Sequence, residues 1–402
     1  MTAKIRLVTA TALALLATPA LAQTKSTAIN DQLQWGDVFA NINVVTRNGA
    51  PSATASAVAA GNSVSGANLT GDLSAQSTQT MTGATFGWAN VDADRTGQAI
   101  AVATSQGNTL QAQTQNGDLD LVGAQATSKG DVNAGAVATV GSTRSVTAVA
   151  SGAGNNAALA ADHGDLNTNF TQTDSSSVYS VAKVNAQSTR DTVAGASAAG
   201  NAYGSTSTTS TVTAALTQNS SGPQVYASSA VTQDRARNVT SAATAAGNSA
   251  SIENEWGYTQ IRGRQDNASG VYSESKVALA SWTGAATSSA YGVGNQALAT
   301  NVGSDLDVDV LQQNTGNITT SATFDGAGSG DAVVASTAVG NAFTGYVCSY
   351  CGDARVSGSV TQTNGGNVAS SGIITTNGSG AVIGSASAIG NTATFITTNS
   401  RN

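Results

Sequence analysis

A Gly-Asn pair recurs eight times in this chain at almost constant spacing, and no other feature limits the fold so strongly. The pairs are Gly61–Asn62, Gly107–Asn108, Gly154–Asn155, Gly200–Asn201, Gly247–Asn248, Gly294–Asn295, Gly340–Asn341 and Gly390–Asn391. Successive glycines lie 46, 47, 46, 47, 47, 46 and 50 residues apart. A fixed period of some tens of residues marks a stacked array, in which each unit buries its apolar face against its neighbours.

A glutamine keeps the same frame. Gln79, Gln125, Gln172, Gln218, Gln265 and Gln312 each follow a pair glycine by 18 residues, and Gln362 follows Gly340 by 22. The additional four residues match the 50-residue spacing and coincide with the segment CSYC, so the last repeat carries an insertion around 348–351. Ahead of the glutamines, alternate positions are largely apolar, as in Leu306, Val308 and Val310 before Gln312. That period of two predicts a β-strand with one buried face. Ahead of the Gly-Asn pairs the same stripe uses smaller residues, such as Ala196 and Ala198.

Glycines four residues after several glutamines (Gly83, Gly222, Gly316, Gly366) echo the pair spacing and divide the repeat into two related coils of roughly 22 to 24 residues. The expected class is all-β: an elongated β-solenoid of two-coil repeats, with large and small residues alternating along the stack. About sixteen coils spaced by roughly 4.8 Å predict a rod of about 75 to 80 Å. Glycine is expected at corners, where a positive φ costs it nothing, and asparagine tolerates the same region. The stacked amides are expected to form ladders along the axis.

The ends divide differently. Lys4 and Arg6, the apolar run LVTATALALLA and the small residues Ala20–Leu21–Ala22 read as a signal peptide over 1–22. Residues 23–50 are expected to cap the array with a partial repeat, 51–391 to form the solenoid, and 392–402 to be a tail. Removing Lys4 and Arg6 takes the net charge from −7 to −9, which argues against nucleic acid as a partner. Charged residues are only 10% of the chain, against about 25% in ordinary domains, and mean hydropathy is −0.06. The exposed surface is therefore read as neutral hydroxyls and amides. The N-terminal apolar run is too short to span a bilayer, and no other long apolar run exists.

No constellation points to catalysis, a metal or a cofactor. His163 is the single histidine and has no counterpart in other repeats, so it reads as a solvent-facing loop residue. Cys348 and Cys351 form a CxxC inside the insertion of an exported chain, which favours a local disulfide over redox chemistry. The Gly-Asp steps at Asp72, Asp118 and Asp165 lack the spacing of calcium nonapeptides and read as turns, with calcium the alternative. Trp35, Trp88, Trp256 and Trp282 occupy different frame positions and form no binding row.

The signal peptide, the AxAxGN units and the abundance of Ala, Gly, Asn, Thr and Ser are similar to the holdfast anchoring proteins of stalked alphaproteobacteria, in particular their D component. The resemblance covers 23–402 and carries no individual functional residues with it. It implies a protein at the outer cell surface, at the cell pole or stalk tip. There it works with other anchor proteins and an outer-membrane export partner, and it holds an adhesive polysaccharide. Contact with the membrane would run only through those partners. Two rival readings remain. A curli-like functional amyloid subunit, associating end to end, fits the strand edges that a solenoid must expose, although the curli Ser…Gln…Asn…Gln spacing is absent. A β-helical polysaccharide-degrading enzyme would need carboxylates gathered on one face.

Overall fold

The computed structural model describes residues 25–47, 49–349 and 354–399, and all regular structure among them is β-strand. The glutamine strands form one eight-stranded parallel sheet: Ser26–Gln34, Leu73–Met81, Leu119–Thr127, Leu166–Asp174, Val212–Ser220, Thr259–Asn267, Leu306–Asn314 and Val356–Asn364. A second sheet of thirteen strands contains the remainder of every turn. In three coils that remainder is one long strand, Thr85–Gln115, Val132–Asp162 or Val178–Thr208. Elsewhere a bend splits it, as between Gln224–Arg235 and Asn238–Glu255.

Every pairing is parallel and joins residues one whole repeat apart, from Ser26↔Leu73 to Asn341↔Asn391. The chain is a β-solenoid, as its period implies, but each repeat makes one coil and not two. Eight coils separated by about 4.8 Å give a stack of roughly 34 Å, less than half the expected length. The physical reason lies in register. Hydrogen bonding aligns like with like along the axis, Gln on Gln and Ala on Ala, so large and small residues do not alternate there. The two halves of a repeat resemble each other because both are alternating strands, but they lie on different sides of one turn.

The second coil shows the path. From the glutamine strand Leu73–Met81 the chain turns at Gly83, runs out over 85–93, bends at 94–97, returns over 98–106, passes Gly107–Asn108 and closes over 109–115. Outgoing and returning runs enclose a narrow core of Ala89, Val91 and Ala93 against Ala99, Ala101 and Ala103. Small side chains let these runs approach closely. The glutamine strands and closing runs enclose a wider core, with Leu119, Leu121, Leu166 and Phe170 against Leu110, Leu159 and Tyr203. Size is therefore sorted across the coil. Trp282, fully buried, fills the bend of the sixth coil with its ring edge-on to Phe324 at 4.9 Å, where the register shifts between Leu279 and Trp282.

At the N-terminal end, where a cap with a partial repeat is expected, Ser26–Gln34 and Val38–Thr46 pair in the common register with Leu73–Met81 and with 85–93, so stacking is in place from residue 26. Residues 392–399 pair with 342–349 and form the last closing run rather than a tail. The proposed signal peptide lies outside the described residues.

Candidate functional site

The Gly-Asn pairs are not at corners. They lie within the straight return of each coil, and none of the eight glycines has a positive φ. Glycine is required there for steric reasons. A Cβ on Gly200 would stand 2.6 Å from Ser220 Oγ and 2.7 Å from the Gly247 carbonyl, and one on Gly154 would stand 2.6 Å from both Asp174 Oδ1 and the Gly200 carbonyl. The glycine thus allows the end of a glutamine strand to press onto the return, where the narrow and wide cores meet.

The asparagine beside it uses that approach. Asn62 Nδ2 donates to Asn108 Oδ1 at 2.8 Å, and the series continues through Asn155, Asn201, Asn248, Asn295 and Asn341 to Asn391 at 2.7–2.8 Å. The same Nδ2 groups donate to carbonyls of the facing glutamine strand, from Thr80 for Asn62 to Thr363 for Asn341. The glutamines make a second ladder of opposite polarity. Gln362 Nε2 donates back to Gln312 Oε1, and so on through Gln265, Gln218, Gln172 and Gln125 to Gln79 and Gln32, at 2.7–2.9 Å. Each of these Nε2 groups also donates across the wide core, as Gln79 does to the Thr109 carbonyl at 2.9 Å. The amide dipoles of the two ladders oppose one another.

Position 2 after the glutamine carries a partial third column. Asn267, Asn314 and Asn364 form an amide run there, with bonds of 2.7 Å. In the fourth coil the same position is Asp174, fully buried. Its Oδ1 accepts from Ser176 Oγ at 2.6 Å and Ser176 N at 3.2 Å, while Oδ2 has no partner. Burial dominates and pushes this carboxyl up to about 7; the Ser176 bonds act the other way. Neither Asp174 nor Gln32 was singled out from sequence, although Gln32 lies 47 residues before Gln79 and Asp174 shares the frame of Asn314.

Other candidates are dispersed. Asp72 Oδ1 accepts from the Asp118 backbone N at 3.0 Å, and Asp118 Oδ1 from that of Asp165 at 2.8 Å, so these carboxylates tie successive corners together. His163 occupies a corner at φ 58°, with Nδ1 2.7 Å from Asp162 Oδ1. Cys348 pairs in register with Thr398, whereas Cys351, and with it the disulfide, lies outside the described residues. Among the described residues no three His, Cys, Asp or Glu side chains gather as metal ligands. What the described residues share from coil to coil is the pair of buried amide ladders, while the outward positions vary, as in Gln76, Val122 and Asn169.

The sequence profile of the family described as "HfaD: Holdfast attachment protein D" matches residues 47–318. No curated protein matches the chain. No solved structure does so either.

Proposed function

The chain belongs to the holdfast attachment protein D family, and from that premise we propose that it anchors an adhesive polysaccharide, the holdfast, to the cell envelope. The family places the protein at the cell surface in a holdfast attachment role. The observation that carries the finer reading is the family match over 47–318, which takes in the second to sixth of eight coils stacked in one register. An array of coils in one register presents hydroxyl- and amide-bearing side chains on successive coils, such as Asn169 and Ser359 on the outside of the glutamine sheet, so one polymer chain can engage several coils together, and many weak sugar contacts sum to firm retention. We place it at the outer membrane of the pole or stalk tip, held by other anchor proteins and an export partner. Deleting the protein is expected to make cells shed adhesive into the medium. Unchanged retention of adhesive on the deleted cells would refute the anchor.

A second reading, a curli-like fibre subunit, draws support from the ladder polarity. At one end Asn62 leaves an acceptor and Gln32 a donor; at the other Asn391 leaves a donor and Gln362 an acceptor. These ends complement each other head to tail. The backbone N–H groups of Val356, Val368 and Val382 are in frame with donors that bind the next coil, as Leu306, Ile318 and Ala332 do. Proline at Val368 and Val382 would remove two outward donors without breaking a bond inside the molecule. Electron microscopy should show fibres for the native protein and none for that variant; monodisperse native protein would sink the reading.

A further inference from the structure

Cations are concentrated along one edge of the solenoid. The bend between outgoing and returning runs carries Arg95 in the second coil, Arg144 in the third, Arg190 in the fourth, and Arg235 and Arg237 in the fifth. All five are exposed. The pairs Thr143↔Thr189 and Ser145↔Asp191 set Arg144 opposite Arg190. The pairs Arg235↔Ser188 and Asn238↔Asp191 set Arg237 on the other side of Arg190. Three guanidinium-bearing residues therefore stand on consecutive coils at one position, spaced by about 4.8 Å at the backbone.

Little in the molecule neutralises them. Asp94 is taken by Arg47 Nη1 at 2.7 Å, with Asp92 also paired to Arg47. Asp191 accepts from Asn238 Nδ2 at 2.8 Å, and its other oxygen is 3.6 Å from Arg190 Nε. Asp234 stands at the same bend. Among the described residues Arg95, Arg144, Arg235 and Arg237 make no ion pair. Beside the column lies an open cleft of 450 Å³, whose walls include Thr143, Ser188, Thr189 and Ser281 with Arg190 and Arg237.

We propose that this arginine column binds an acidic glycan, a polysaccharide whose sugar rings carry carboxylates. A guanidinium grips a carboxylate through two parallel hydrogen bonds, which a lysine cannot do. Stacked cations repel each other, and an anion seated between them relieves that repulsion. The coil spacing is close to the length of one sugar ring, so an extended chain lying along the axis meets one arginine per ring. The hydroxyls of Ser188, Ser281 and Thr283 in the cleft suit the uncharged sugar hydroxyls, whereas Thr143 and Thr189 are buried and bonded within the protein. No aromatic ring lines the cleft for base stacking, which disfavours single-stranded nucleic acid. The site deepens the anchoring reading and rests on it for the identity of the bound polymer as an adhesive.

The test uses the mature protein with polygalacturonate, dextran and single-stranded DNA as probes. Polygalacturonate should bind, and binding should fall steeply as ionic strength rises from about 0.1 M to 1 M, where the screening length shrinks from about 10 to about 3 Å. The variant R144Q/R190Q/R237Q should lose about tenfold or more, equivalent to about 1.4 kcal/mol, with unchanged circular dichroism; Lys129→Gln, at another corner, should bind as the native protein does. Should the triple variant fail to fold, R144Q and R237Q singly must each weaken binding several-fold. Equal binding of dextran, retention of binding in the variants, or DNA binding as tight as polygalacturonate would each overturn the proposal. Cells carrying the triple variant separate the two ideas: loss of polygalacturonate binding with normal adhesive retention keeps the site and removes it from anchoring.

Discussion

Replacing Asp174 by asparagine should stabilise the protein at alkaline pH and remove most of one pH dependence. Asp174 is fully buried, with one carboxyl oxygen unpartnered, and its ionisation is displaced from 3.8 to about 7. The folded state therefore holds this proton between about pH 4 and 7, whereas the unfolded chain releases it. Stability from this group is complete below the unfolded value and is lost as pH rises through the folded one. A displacement of about three units is worth about 4 kcal/mol. Asparagine is nearly isosteric and is the residue found at this frame position in Asn267, Asn314 and Asn364. Denaturant unfolding of native protein and Asp174→Asn at pH 4 and pH 8 measures the effect. The two should be similar at pH 4, and the variant should be more stable by several kcal/mol at pH 8. Asp307, held below the ordinary carboxylate range chiefly by the hydrogen bond from Arg262, contributes with opposite sign and loses its contribution in acid. It is common to both proteins and cancels in the difference. Identical pH profiles for the two proteins would refute the reasoning.

Other expectations follow from the ladders and cores. Gly200→Ala should cost about 2 kcal/mol or more, because one of the three atoms its Cβ meets is a backbone carbonyl of the next coil; a midpoint within error of native would contradict the steric account. Gln172→Leu breaks an interior rung, stranding the Gln218 donor and the Gln125 acceptor and removing the donor to the Ala202 carbonyl, and should cost about 2–6 kcal/mol at 1–3 for each stranded ladder group. Gln32→Leu, at the ladder's end, strands the Gln79 donor and leaves the exposed Ser63 carbonyl to water, so equal losses for Gln32→Leu and Gln172→Leu would contradict the ladder account. Trp282→Ala empties the bend against Phe324 and should cost about 3–5 kcal/mol, measured by the thermal or denaturant midpoint.

Strand alternation, the all-β class and the solenoid period are legible in the residues themselves, because periods of 2 and of 46–47 are written directly as Leu306, Val308, Val310 and as the Gly-Asn frame. The number of coils per repeat is not legible that way. Both halves of a repeat alternate, and Gly83 or Gly316 mimics the pair glycines in spacing while occupying a different turn. Likewise a glycine in a repeat reads as a corner until the strand facing it is known. Gly200 is required by Ser220 and by Gly247, which lie 20 and 47 residues away.

By itself the sequence determined that identical units stack, which face of each strand is buried, and that amides recur in register. Only the tertiary structure decided that one repeat closes one coil and that alanine and valine predominate in one core while most of the leucines lie in the other. It also decided that the two ladders run with opposite polarity and that Arg144, Arg190 and Arg237 fall into one column. The reason is physical. Periodicity along a chain reports which positions are equivalent, whereas closure of the coil depends on hydrogen-bond register and on contacts across the core, between residues with no shared pattern.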